Sequence, residues 1–199
     1  MSARTPVVLR DATVDDAPAL AALWIKSVED SADGSDGPAQ GLWREPTDVE
    51  AREALALQLS NPRKRIIVAL VDDVVVGATV CELTTVSPVS MIRVLLVTEI
   101  QVDPEHRRRS VALTLLSAAA SYGEEEGVEV VMAAIPTQAR EPHRYLTKIG
   151  FSQVAVVRAI QASKLRSQVS SRATQSRDTG RLIAVRRTLR RRQGERPRG

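Results

Sequence analysis

Aromatic side chains are scarce, with two Trp, two Tyr and one Phe in 199 residues. So few rings argue against a stacking platform for single-stranded nucleic acid. A single cysteine, Cys81, excludes an intramolecular disulfide framework and fits a reducing, cytoplasmic compartment. His106 and His143 are the only histidines; with one cysteine they give no recognisable ligand spacing, and no metal is expected. Apolar runs are strand-length and broken by charges, which excludes a membrane span. The first ten residues lack the charged and then apolar pattern of a signal peptide.

What is present is enough for a core: 43% of residues are hydrophobic, and 199 residues are most economically one domain. Formal net charge is +4, unevenly spread. Residues 160–199 hold 12 Lys/Arg against 2 Asp/Glu, and the rest of the chain 16 against 22. Such a basic tail on an acidic body is solvated, docks back onto the body, or reaches phosphate-rich partners such as nucleic acid.

Strand-like and helix-like runs alternate, which points to a layered α/β or α+β fold. Residues 31–46 are polar and rich in Gly and Pro, hence a loop, with Trp43 as its anchor or as a substrate contact. Residues 47–61 form an amphipathic helix candidate ending before Pro62. The cluster Arg63, Lys64, Arg65 reads as solvated. Residues 66–85 are rich in β-branched residues and read as a hairpin turning at Asp72 and Asp73. Cys81 lies within it and reads as a small buried hydrophobe rather than a reactive thiol. Residues 154–160 and 181–189 are strand-like, separated by a Ser/Arg-rich insertion over about 161–180 that is mobile or partly helical. Residues 190–199 read as a disordered basic tail.

The most informative stretch is 99–126: a strand, a short basic loop over 103–110, then apolar residues at three- and four-residue spacing from Val111. Peptide N–H groups at a helix start lack intrahelical partners and sit at the positive end of the macrodipole, so they can hold a diphosphate. Arg107, Arg108 and Arg109 add positive charge beside them.

This loop, R-R-R-S-V-A over 107–112 after V-D-P-E, resembles the acetyl-CoA signature R-x-x-G-x-G/A of the GNAT superfamily. Ser110 stands at the usual glycine and Ala112 at an accepted last position. Serine there either crowds the pyrophosphate or donates a hydrogen bond to it. Residues 7–24 resemble the family's first strand and helix, with Thr13 or Asp15 near the helix start; residues 66–80 resemble its central hairpin. R-E-P-H-R-Y-L-T-K-I-G-F, ending at Phe151, is similar to its helix ending in Y-E-K-L-G-F. The chain is thus identified with an actinobacterial-type member having a degenerate glycine loop. The implied fold is α/β (α+β), a mixed, mostly antiparallel sheet of six to seven strands flanked by about four helices. It would form one domain over residues 1–189.

The resemblance implies acetyl transfer from acetyl-CoA to a primary amine of a small molecule or peptide. It implies cofactor binding by Ile100, Gln101, Val102, Arg107, Arg108, Arg109, Ser110, Val111 and Ala112. It makes Glu99 the general base, with Glu82 as rival. Leu146 occupies the position where relatives carry the proton-donating tyrosine. Tyr145 is one residue, ~100° on a helix, away, and reads as a core residue; His143 or water could substitute. These departures keep a non-catalytic acyl-CoA binder open as an alternative. A C-terminal strand can be exchanged between subunits in this fold type, which leaves a homodimer open.

Overall fold

The computed structural model describes residues 6–31, 44–107, 110–135 and 139–172. One compact unit holds β1 (Val8–Asp11), α1 (Ala17–Ser31), α2 (Asp48–Leu59), β2 (Lys64–Val71), β3 (Val74–Thr85), β4 (Arg93–Val102), α3 (Val111–Glu125), β5 (Val131–Ala133) and α4 (Arg140–Lys148). The strands form one sheet in the order β1-β2-β3-β4-β5. All neighbours are antiparallel except β4 and β5, which α3 joins as a crossover.

β2 is almost continuously apolar because both of its faces are covered. Ile66, Val68 and Leu70 lie under α1 and α2 with Leu20, Leu23 and Leu55. Ile67, Ala69 and Val71 lie on the opposite face, against Val111 and Leu115 of α3. The β2–β3 hairpin turns at Asp72 (φ 49°) and Asp73 (φ 61°), the positive-φ pair required by a tight turn that matches strand twist. Cys81 is fully buried, and burial pushes its thiol up to about 11, so it is a packing residue.

Entry into α1 is set by charge. A 3-10 turn, Val14–Asp16, follows Thr13. Both Asp16 carboxylate oxygens accept from Arg10 at 2.7 Å, and the Thr13 N–H donates to one of them at 2.7 Å. The Arg10 guanidinium is the largest influence on Asp16 and holds its carboxyl below the usual carboxylate range. Such a group contributes stability fully present above its unfolded pKa of about 3.9 and lost as pH falls toward the folded value. Asp16→Asn is therefore expected to cost about 2 kcal/mol at pH 7, below the fully buried case because the Arg10 side chain is 42% exposed. Denaturant titrations of both proteins should begin to converge as pH falls below about 4 and meet as it passes the lowered folded value of Asp16.

Two sequence expectations change. The cluster at 63–65 is not simply solvated: Lys64 pairs with Glu82 at 3.4 Å, and Arg65 with Asp11 at 2.8 Å. Arg65 also lies 5.0 Å over the Tyr122 ring, since strand alternation aims it at α3 rather than at water. Of the six to seven expected strands, five occur among the described residues. Residues 152–160 are exposed and form no strand, because β-branched residues make a strand only where a partner ladder exists. The segment expected to pair with them, 181–189, lies outside the described residues. In the second unit, described by itself, residues 162–172 form a helix, α5.

Candidate functional site

The site is built around a fault in the β3–β4 ladder. Val80 pairs with Glu99 but Cys81 pairs with Val97, so Thr98 is an extra residue, a β-bulge in β4. Before the bulge, odd-numbered residues turn their main-chain groups toward β5: Leu95 N–H donates to Val130 C=O, and Val97 C=O accepts from Ala134 N–H. After it, Asp103 N–H donates to Val76 C=O, so the odd-numbered residues now face β3. By alternation, the main-chain N–H and C=O groups of Ile100 and Val102 face away from β3. On that side β5 has already ended at Ala133, leaving these groups without a ladder partner among the described strands.

The bulge also exchanges side-chain faces. Leu95 and Val97 pack with Ala119 and Tyr122 on the α3 side, and Ile100 and Val102 keep to that side. Glu99 and Gln101 are turned to the α1 side, and the Gln101 amide donates to Glu99 Oε2 at 3.0 Å. The buried Thr79 hydroxyl donates to the Glu99 main-chain carbonyl at 3.0 Å, which pins the residue after the bulge. Burial pushes the Glu99 carboxyl up, against the amide of Gln101 and the indole N–H of Trp24, which favour its ionised form. Glu82, on the same side, is engaged by Lys64.

β4 leads through Asp103 into α3. Asp103 caps a 3-10 turn, Pro104–His106, by accepting from Glu105 N–H at 2.9 Å, and its other oxygen accepts from Lys26 of α1 at 2.6 Å. Burial raises the Asp103 carboxyl, but Lys26 and the Glu105 N–H together prevail and hold it below the ordinary range.

Ser110 then adopts a left-handed conformation, φ 65° and ψ 8°. That is the backbone region glycine occupies without strain, so serine retains the turn at a conformational cost. The first intrahelical bond runs from Thr114 N–H to Ser110 C=O at 2.9 Å; the N–H groups of Val111, Ala112 and Leu113 precede it. The Ser110 side chain makes no cap hydrogen bond and no acidic residue lies in the first turn. Donors without a side-chain acceptor among the described residues, at a positive helix end, suit a diphosphate. Ser110→Gly is expected to raise stability by about 0.5–1 kcal/mol, the balance of left-handed strain and glycine's backbone entropy. A urea midpoint shift at constant m would measure it.

α3 comes this close to the sheet because Gly77 has no side chain. A Cβ there would meet Val111 Cγ1 at 2.8 Å and the Gln101 carbonyl oxygen at 3.0 Å.

Of the residues named from sequence, Glu99, Ile100, Gln101 and Val102 sit on one strand end, and Arg107, Ser110, Val111 and Ala112 on the segment that follows it. Gln101 differs from Ile100 and Val102, its main chain facing β3 and its side chain Glu99. Arg108, Arg109 and Trp43 lie outside the described residues. Leu146 is buried, Tyr145 half-buried and His143 exposed on α4. Sequence reading missed Trp24 and Thr79. For Thr79 the signal was a phase break, since the apolar alternation of Leu95 and Val97 resumes at Ile100 and Val102, three residues on rather than two; no local pattern pointed to Trp24.

A family model described as acetyltransferase (GNAT) family matches residues 36–151. Among solved structures, a transcriptional regulator from Bacillus halodurans C-125 superposes with a TM-score of 0.63 at 17% identity, covering 78% of this chain and 99% of that one. An aminoglycoside N-acetyltransferase in complex with CoA gives 0.61 at 16% identity, covering 81% and 97%. A ribosomal-protein-alanine N-acetyltransferase from Brucella melitensis biovar Abortus 2308 gives 0.59 at 19%, covering 78% and 99%. At these identities the likeness is one of fold. No curated protein matches the sequence.

Proposed function

Since the chain belongs to the acetyltransferase (GNAT) family, we propose that it transfers an acetyl group from acetyl-CoA to a primary amine by direct attack, with Glu99 as general base. The observation that carries this reading is the succession, along β4 and α3, of a half-buried carboxylate and peptide donors that have no side-chain or ladder acceptor among the described residues. The N–H groups of Val111, Ala112 and Leu113 take the diphosphate, with Arg107 close by in sequence. The main-chain groups of Ile100 and Val102 orient the arm that follows. Acetyl-CoA supplies an activated thioester; this chain supplies orientation and a proton acceptor.

Glu99 accepts the proton that the amine gives up as its nitrogen bonds to the acyl carbon. Among the described residues no cation pairs with Glu99, whereas Glu82 is held by Lys64, which favours Glu99. The buried hydrocarbon of Leu146 supplies no proton to the departing sulfur. At a thiol pKa of about 8.5 that sulfur leaves readily as thiolate and is protonated by water.

Calorimetric titration with CoA and acetyl-CoA tests the donor half. A thiol-release screen over aminoglycosides, among them sisomicin, and over peptide N-termini tests the transfer. Binding together with thiol release is the expected result. Binding without release from any amine would favour a non-catalytic acyl-CoA binder, the reading that Leu146 supports. Absence of binding overturns both.

A further inference from the structure

Glu99 is a half-buried carboxylate on a strand whose side chains could adopt more than one rotamer. A proton acceptor is useful only when held. The bulge at Thr98 places Gln101 two residues along on the same face, and the Gln101 amide Nε2 donates to Glu99 Oε2 at 3.0 Å. From the layer above, the half-buried Trp24 of α1 also favours the ionised form of the same carboxylate. Trp24 is fixed by packing against the cluster around Leu20, Leu23 and Val68.

Among the described residues, Glu82 of β3 pairs with Lys64 of β2, and Asp103, after β4, with Lys26 of α1. A neutral donor, the Gln101 amide, holds Glu99.

We propose that Gln101 is a positioning residue that clamps the Glu99 carboxylate in one orientation from its own strand. This rests on Glu99 being the general base, yet the clamp can be read without an acceptor. A neutral N–H donor favours the carboxylate over the carboxylic acid and leaves its full negative charge for the incoming proton. A lysine or arginine in the same place would weaken it as a base. Gln101 is thereby given a side-chain task distinct from any main-chain contact with the cofactor.

The experiment is a pH titration of the full chain carrying 13Cδ-labelled glutamate, followed by NMR, with Glu99→Gln to assign the resonance. In the unaltered protein the Glu99 midpoint is expected above those of the exposed glutamates. In Gln101→Met, which keeps the side-chain length, it should rise further. One charge-assisted hydrogen bond corresponds to about one pH unit. The acid limb of the rate profile should move with it once an acceptor is known. A midpoint unmoved in Gln101→Met, in a protein that melts as the unaltered one does, overturns the clamp. Full activity in Glu99→Gln would instead overturn the general-base reading and leave the NMR result standing by itself.

Discussion

Glu99→Gln is expected to lower acetyl transfer by about 10²–10⁴-fold, the usual contribution of a positioned general base, with CoA affinity unchanged. The substitution keeps the shape of the side chain and removes the proton acceptor, so a loss confined to turnover identifies the role. Burial raises the Glu99 carboxyl, and its conjugate base is the working form. Activity should therefore rise with pH along a limb lying above about 4.3, the ordinary glutamate value, and that limb should vanish in the variant. Glu82→Gln serves as the comparison. Its carboxylate is occupied by Lys64 at 3.4 Å, so removing it should change rate little. A large loss from Glu82→Gln with little from Glu99→Gln would reverse the assignment.

Gly77→Val is the second large effect. Even a single added carbon lies 2.8 Å from Val111 Cγ1 and 3.0 Å from the Gln101 carbonyl oxygen. The second contact is main chain, which cannot rotate aside. α3 must lift from the sheet or β4 must shift, at a cost of about 1–3 kcal/mol, and either movement displaces the N–H groups of Val111, Ala112 and Leu113 from the strand end. CoA affinity should fall on the order of tenfold or more, since 1.4 kcal/mol is a factor of ten. Calorimetry with CoA, beside a thermal melt, separates the lost affinity from the lost stability. Unaltered affinity would mean that the seating of α3 does not govern the donor site.

Much of this arrangement was legible in the sequence, for identifiable reasons. The loop from Asp103 to Ser110 announces itself through a change from strand to helix periodicity across a basic stretch, and the structure puts a strand end and a helix start there. Asp72 and Asp73 are turn formers between two apolar runs, and both take positive φ. The helix expected over residues 47–61 is present as Asp48–Leu59, with Thr47 accepting from Glu50 N–H at its start.

What sequence did not yield depends on long-range pairing. A single extra residue at Thr98 decides which face Glu99 takes, and its sign is only a three-residue step between apolar positions. That Trp24 favours the ionised Glu99, 75 positions away, follows from helix placement over the sheet, which no local pattern encodes. The role of Ser110 needed a backbone angle, since only φ 65° distinguishes a serine that retains the glycine turn from one that replaces it. At residues 154–160 β-branched composition suggested a strand, but composition does not supply a partner.

The most direct measurement is CoA affinity in Leu113→Asp. Leu113 lies in the first turn of α3 and is 51% exposed. An added carboxylate there is favourable to the helix end, by about 0.3–1 kcal/mol, and repels a diphosphate held by the same amides. Calorimetry and a thermal melt should show CoA affinity falling at least about tenfold, which 1.4 kcal/mol of repulsion produces, while the protein becomes as stable or slightly more so. Unchanged affinity in a folded Leu113→Asp protein would contradict the account, because the diphosphate would then be held elsewhere.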